Sequence, residues 1–151
     1  METSYRYYEE KDFNDFREMV FCLYEEDPDG QIIDEEKIRK TVNESKTYPE
    51  KLRIVMICAD GTTIGYSLIC FTWSNEYGGD ILNIDELYIR KEYRNNSMAS
   101  GFINHQMWAH ENVVAIAVET TPSNAAAGRL YHRLGFKDSP NDHLIFTRDH
   151  S

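Results

Sequence analysis

The sequence predicts a mixed α/β domain, a mostly antiparallel sheet with one parallel βαβ crossover at its centre and helices on its flanks. Three observations carry that reading. Two apolar strand-like runs are joined across Asp60-Gly61, a strong hairpin signal. Residues 113–119 form a near-continuous apolar run of the kind that fills a parallel strand covered on both faces. Segments of helical period precede and follow that run, which makes a crossover.

The elements follow in order. Residues 4–9 predict a short first strand. Over 11–26 the apolar residues Phe13, Phe16, Val20, Leu23 and Tyr24 recur at helical spacing, and Asp27-Pro28-Asp29-Gly30 ends the run. Asp34 is placed to cap a second helix over 34–45, with Ile38 and Val42 on one face. Residues 52–59 and 63–73 predict the hairpin strands, and Glu76-Tyr77-Gly78-Gly79 turns the chain into a fourth strand over 81–90. A helix over 96–111, the strand over 113–119 and a helix over 124–134 complete the crossover. Leu134-Gly135-Phe136 puts glycine where a left-handed cap is wanted. A final strand is expected over 144–147. No internal repeat, low-complexity tract or linker divides the 151 residues, so one domain is expected over 1–151.

Composition narrows the function. With 41% hydrophobic and 28% charged residues the chain reads as an ordinary globular protein, and its apolar runs are far short of a membrane span. The formal charge of −10 repels phosphate backbones and argues against nucleic acid as a partner; it would draw in a cationic small molecule, and keeping the protein soluble explains it at least as well. Cys22, Cys58 and Cys70 are odd in number and embedded in apolar segments, as reduced, buried thiols are. The N-terminal METSYRYYEE carries no basic region followed by an apolar stretch, so a cytoplasmic location is expected. His105, His110, His132, His143 and His150 show no ligand spacing, and no metal is expected.

Two stretches concentrate the chemistry. RKEYRNNSMASGF at 90–102 lies between a strand and a helix start, where backbone N–H groups and the positive helix end can meet one anion, with Arg90, Lys91 and Arg94 adding charge. In NAAAGRLYHRLGF at 124–136, Asn124 and Tyr131 lie seven residues apart and share a helix face, and the alanines keep that face low. An N-cap and a packed aromatic would explain the same pair without function.

Together IDELYIRKEYRNNSMASGF and SNAAAGRLYHRLGF resemble the two signature segments of the GNAT superfamily of acyl-CoA-dependent N-acetyltransferases, and the order of elements agrees over almost the whole chain. The second segment matches closely. The first departs from the family pattern: Arg94, Asn95, Asn96, Ser97, Met98 and Ala99 stand where the family has Gln or Arg, two residues, Gly, one residue, then Gly or Ala. Ser97 adds a side chain where glycine would allow close approach and positive φ, and also a hydroxyl that can donate to phosphate. The expectation is that the loop still binds pyrophosphate.

The resemblance implies the GNAT fold and acetyl-CoA as acyl donor. It implies that Leu87, Tyr88 and Ile89 hold the donor by backbone bonds like an added strand, that Arg94 through Ala99 cradle the pyrophosphate, and that Asn124 bonds the pantetheine arm. Tyr131 would protonate the departing thiolate, a role its ordinary pKa of about 10 suits. The nucleophile would be a primary amine of a small cationic molecule, polyamine-like or aminoglycoside-like. Asp85 and Glu86 are the candidate bases; family members such as polyamine acetyltransferases carry a carboxylate at the position matching Asp85, while Glu86 is preferred slightly for proton transfer. Neighbouring strand residues face opposite ways, so only one would look into the site unless a bulge intervenes. The acidic stretches at 25–29 and 34–36 would form a wall of the acceptor site, and Tyr24, Trp73 and Tyr77 are candidate pocket aromatics. Two other readings stand beside this one: a CoA-binding or interaction protein that keeps the fold without turnover, and an enzyme acetylating a protein N-terminus or lysine. Members of the family pair through sheet edges or helices, which leaves a homodimer open.

Overall fold

A computed structural model describes residues 1–27, 30, 32–94, 97–121 and 124–148. Its strands are β1 (Thr3–Tyr7), β2 (Leu52–Ala59), β3 (Thr62–Ser74), β4 (Gly79–Ile89) and β5 (Val113–Val118), and its helices α1 (Phe13–Glu26), α2 (Glu35–Thr47), α3 (Met98–Ala109) and α4 (Ala125–Arg133). Short 3-10 turns at Glu10–Asp12 and Lys91–Tyr93 precede α1 and α3. The strands lie in sequence order in one sheet, antiparallel from β1 to β4 and parallel between β4 and β5.

Alternation along the strands sorts the core into two layers. In β2, Ile54 and Met56 pack with Phe16, Met19 and Val20 of α1 and Ile38 and Val42 of α2. Val55, Ile57 and Ala59 point the other way, onto Met98, Phe102 and Ile103 of α3. The period of two thus gives a sheet buried on both faces.

Local signals read from the sequence take the expected geometry. Asp60 and Gly61 both have positive φ, +50° and +80°, as a tight two-residue hairpin turn requires. Asp34 Oδ1 accepts from Lys37 N at 2.8 Å and caps α2. At the end of α4, Gly135 has φ +100° while its N–H donates to His132 O and that of Phe136 to Tyr131 O, closing the helix as anticipated.

Two expectations need correction. The first helix does not run from residue 11: Asp12 turns inward, receives Arg6 through both guanidinium nitrogens at 2.7 and 2.8 Å, and accepts from Glu9 N at 2.8 Å. This pair, with Asp12 buried and Arg6 partly exposed, makes a separate turn before α1. The final strand expected over 144–147 is also missing among the described residues; that stretch is exposed and pairs with no strand.

Candidate functional site

The site is built where β4 and β5 part. They pair from Asp80 opposite Val113 to Ile84 opposite Val118, and there the pairing stops, although β4 runs on to Ile89. Beyond Ile84 the β4 edge that faces β5 has no strand partner among the described residues, a place where a strand could be added, although Ile89 O on this stretch already accepts from Arg94 Nε. Leu87, Tyr88 and Ile89 lie on this stretch. On its other edge β4 stays paired with β3, Gly65 lying opposite Ile89, and a Cβ on Gly65 would sit 2.3 Å from Tyr88 O. Only glycine fits that approach.

At the same point β4 carries a bulge. Leu68 lies opposite Glu86 and Ile69 opposite Ile84, so Asp85 is the extra residue. The bulge reverses the alternation: Leu82 and Ile84 face the α3 layer, whereas beyond it Leu87 and Ile89 face that layer and Tyr88 faces α1 and α2. Glu86 is thereby turned under α1. Tyr66 Oη donates to its Oε1 at 2.7 Å and Tyr24 Oη to its Oε2 at 2.5 Å. Burial pushes the Glu86 carboxyl above its ordinary range, and the two phenol hydrogen bonds act in the opposite direction. Asp85 is also raised, by desolvation first and by Glu119 second.

Both carboxylates line one cleft of about 370 Å³ between the splayed strands, together with Tyr24, Asp27, Glu119, Asn124 and Tyr131. The bulge resolves the question of which acidic residue looks in. Asn124, Ala127 and Tyr131 supply one wall from a single face of α4. Asn124 also caps the helix, its Oδ1 accepting from Ala127 N at 3.2 Å, so the structural role and the cleft position coincide. Burial holds the Tyr131 hydroxyl above its ordinary pKa, so it keeps its proton. Asp27 lines the cleft from the end of α1; its Oδ2 accepts from Thr121 Oγ1 at 3.3 Å, and its buried Oδ1 has no hydrogen-bond partner among the described residues.

The turn before α3 is placed but differently engaged. Arg94 donates from Nε to Ile89 O at 2.7 Å and from Nη2 to both Glu26 oxygens at 3.0 and 3.1 Å. Arg90 reaches Glu18 at 2.7 Å, and Lys91 lies 4.0 Å from Glu26. The acidic face of α1 thus neutralises the basic turn. Ser97 sits at the N-cap of α3 with φ +58°, the left-handed conformation that a glycine would take there. Met98 buries its side chain in the core and Ala99 is half-buried, so what these positions offer a ligand is backbone N–H at a helix start. Asn95 and Asn96 lie outside the described residues, as do Pro28, Asp29 and His150.

Trp73 and Tyr77 stand exposed and do not line the cleft; Tyr24 does. Sequence reasoning missed Tyr66 and Glu119 as site residues; of the acidic stretches expected over 25–29 and 34–36, Asp27 is the described residue that lines the cleft. Tyr66 alternates into the α1 layer along β3 and could be found only once its partner across the bulge is known. Among the described residues no group of three His, Cys, Asp or Glu is arranged to hold a metal ion, and no helix is long and apolar enough to cross a membrane.

Comparison with known proteins bears on this arrangement. Residues 4–136 match the family model for the acetyltransferase (GNAT) family. No curated protein sequence matches the chain. Among solved structures, a possible acetyltransferase from Clostridium difficile 630 superposes with a TM-score of 0.85 at 18% identity, covering 98% of this chain and 99% of that one. AAC(6')-Iy in complex with the bisubstrate analogue CoA-S-monomethyl-acetylneamine superposes with a TM-score of 0.72 at 18% identity over 100% of both chains. An aminoglycoside acetyltransferase from an uncultured soil metagenomic sample, in complex with sisomicin, gives 0.71 at 12% identity over 97% of each. These likenesses are of fold.

Proposed function

Because the chain belongs to the acetyltransferase (GNAT) family, whose members are acyl-CoA-dependent transferases using acetyl-CoA, we propose that it acetylates a primary amine on a small molecule carrying more than one positive charge. One observation carries this reading. Among the described residues the cleft is lined by four carboxylates, Asp27, Asp85, Glu86 and Glu119, and by no lysine, arginine or histidine, and one buried oxygen of Asp27 has no donor among them. A buried carboxylate oxygen without a donor is costly, and an ammonium group would satisfy it. Two of the structural neighbours are described as complexes with an acetylneamine analogue and with sisomicin, which supports a polycationic acceptor.

Acetyl-CoA supplies the activated thioester. On this reading the β4 edge at Leu87, Tyr88 and Ile89 and the start of α3 at Ser97, Met98 and Ala99 bind it, with Arg94 contributing charge and Asn124 a side-chain amide. The acceptor nitrogen forms its bond to the carbonyl carbon as the carbon–sulfur bond breaks. Glu86 takes the proton the amine loses, through water, and Tyr131 gives its proton to the departing thiolate. An ammonium with pKa near that of lysine, about 10.4, is neutral in only roughly one molecule in two thousand at pH 7, which makes a base useful. Reduced Cys22, Cys58 and Cys70 accord with work in the cytoplasm.

One observation favours a second reading, a cofactor-binding protein without turnover: Arg94 and Lys91 are held by Glu26, where phosphate would have to compete. Thiol release from acetyl-CoA with linear diamines, monoamines of equal length and lysine peptides separates the readings. Turnover preferring diamines is expected. Preference for monoamines or peptides contradicts the acceptor class, and binding without turnover favours the second reading.

A further inference from the structure

Glu86 is held from two sides, and the two differ in what they can do. From β3, Tyr66 Oη donates to its Oε1 at 2.7 Å and Ser67 Oγ donates to its backbone carbonyl at 2.8 Å. Both β3 residues are fully buried, and the Tyr66 ring is fixed edge-on against Phe16 at 5.1 Å with Tyr88 stacked at 6.3 Å. That half of the grip is locked away from the cleft. From α1, Tyr24 Oη donates to Oε2 at 2.5 Å, as short as a charge-assisted O–H···O⁻ bond becomes, and of the two phenols it is Tyr24 that lines the cleft. It touches both the base and the space offered to the acceptor. A phenol has one proton to donate and two lone pairs that accept, so with its proton committed to Oε2 the Tyr24 oxygen can still accept from the cleft.

We propose that Tyr24 relays the proton of the acceptor amine to Glu86. This rests on the acetylation reading above and names the group that completes its proton path. As the amine nitrogen bonds to the carbonyl carbon it becomes cationic; an N–H bond then breaks, leaving its electron pair on nitrogen, and a water takes that proton while handing one of its own to Tyr24 Oη. In the same movement the Tyr24 O–H bond breaks and its proton passes to Glu86 Oε2. Tyr24 begins and ends as a neutral phenol, and Glu86 ends protonated. The two transfers must be coupled, because burial first, then the bond to Glu86 and the charges of Glu86 and Asp85, hold the Tyr24 hydroxyl well above its ordinary pKa and keep a free phenolate out of reach near neutrality. Among the described residues the titratable groups acting on Glu86 are Tyr24 from α1, Tyr66 from β3 and Asp85 beside it on β4, with Cys70 of β3 also within the field of the two carboxylates. Only Tyr24 joins Glu86 to the cleft by a hydrogen bond.

The test compares Tyr24→Phe with Tyr66→Phe in the full chain, by thiol release from acetyl-CoA with a linear diamine across pH and by carboxyl-carbon NMR of the free protein labelled at glutamate. Circular dichroism checks the fold of each. Either change removes one donor from the carboxylate, so both should raise the pH at which Glu86 titrates in the free protein. The rates should part. Tyr24→Phe is expected to lower kcat by about 10²-fold with the KM for the diamine little changed, and its rate should climb roughly tenfold per pH unit between about 7 and 9, because only amine that is already neutral reacts. Tyr66→Phe should move the acid limb of the profile upward without that climb. A Tyr24→Phe profile that keeps the wild-type plateau, at whatever height, overturns the relay, and a raised KM with kcat unchanged does so by making Tyr24 a group that binds the acceptor. The same climb in Tyr66→Phe overturns it too, since disturbing Glu86 would then be enough. An unmoved Glu86 titration in Tyr24→Phe overturns it with no turnover needed. A wild type that binds acetyl-CoA and leaves the diamine unmodified contradicts the acetylation reading, and the relay falls with it.

Discussion

Replacing Glu86 by glutamine separates its chemistry from its packing. The amide keeps the shape of the carboxylate, and its oxygen can still accept from one phenol. The nitrogen, however, faces the other, so either Tyr24 or Tyr66 must turn its proton elsewhere. The base is lost. General acid–base groups contribute about 10²–10⁴ in rate, so kcat should fall by that factor, or about 2.7–5.4 kcal/mol at 1.36 kcal/mol per decade. Without a base the variant depends on the small neutral fraction of amine, and its rate should climb roughly tenfold per pH unit between about 7 and 9, where the wild type levels off. Stability should move the other way. Burial raises the native pKa of Glu86 above its unfolded value, so between those two values the native state binds more protons and stability falls as pH rises. Above that window the ionised group is a standing cost that the glutamine variant lacks. The phenol left without an acceptor is a cost at every pH, so the melting temperature of the variant relative to the wild type's is expected to rise from about pH 4 to pH 7 rather than to stay level. Thiol release across pH and thermal unfolding measure both. A variant that keeps more than about a tenth of the wild-type rate, a deficit under 1.4 kcal/mol, with an unchanged pH profile would remove Glu86 from the proton path.

Tyr131→Phe should lower kcat by about 10²–10⁴ while leaving the acetyl-CoA dissociation constant unchanged, since on the proposed mechanism the phenol donates only as the thiolate departs; calorimetric titration beside steady-state rates checks the split. Glu26→Ala removes the carboxylate that holds Arg94, and as a part-exposed ion pair is worth about 0.2–1 kcal/mol, acetyl-CoA should bind about 1.4- to 5-fold more tightly by titration. Weaker binding would show that Glu26 positions Arg94 for the ligand. Asp12→Ala should cost about 2–3 kcal/mol in denaturant unfolding, below the 3–5 of a fully buried pair because Arg6 keeps some contact with water. Asp12 is held below the usual carboxylate range, so that contribution is full above about pH 4 and is lost as pH falls through the depressed native value.

Much of the fold was legible because its signals are local. The β2 bounds, the Asp60-Gly61 turn, the Asp34 cap and the Leu134-Gly135-Phe136 ending each depend on a few consecutive residues, and each stands as read. The pairing of Asp85 and Glu86 in one cleft was legible only as a condition, because a bulge belongs to the register of two strands and not to either sequence. The same holds for Tyr66, which reaches Glu86 from β3, and for Asp12, whose burial depends on Arg6 in β1. The stretch over 144–147 has the composition of a strand, but composition does not say which edge a strand will find. Arg94 was marked by its place in the turn, whereas its partner Glu26, 68 residues earlier, becomes visible only when α1 packs beside β4.

The mass of the acceptor is the most direct test. A linear diamine incubated with acetyl-CoA and the full chain should gain one acetyl group by mass spectrometry, and Glu86→Gln combined with Tyr131→Phe should abolish the gain. An unmodified diamine in the presence of acetyl-CoA shown by titration to be bound would contradict the account, and so would undiminished acetylation by the double variant.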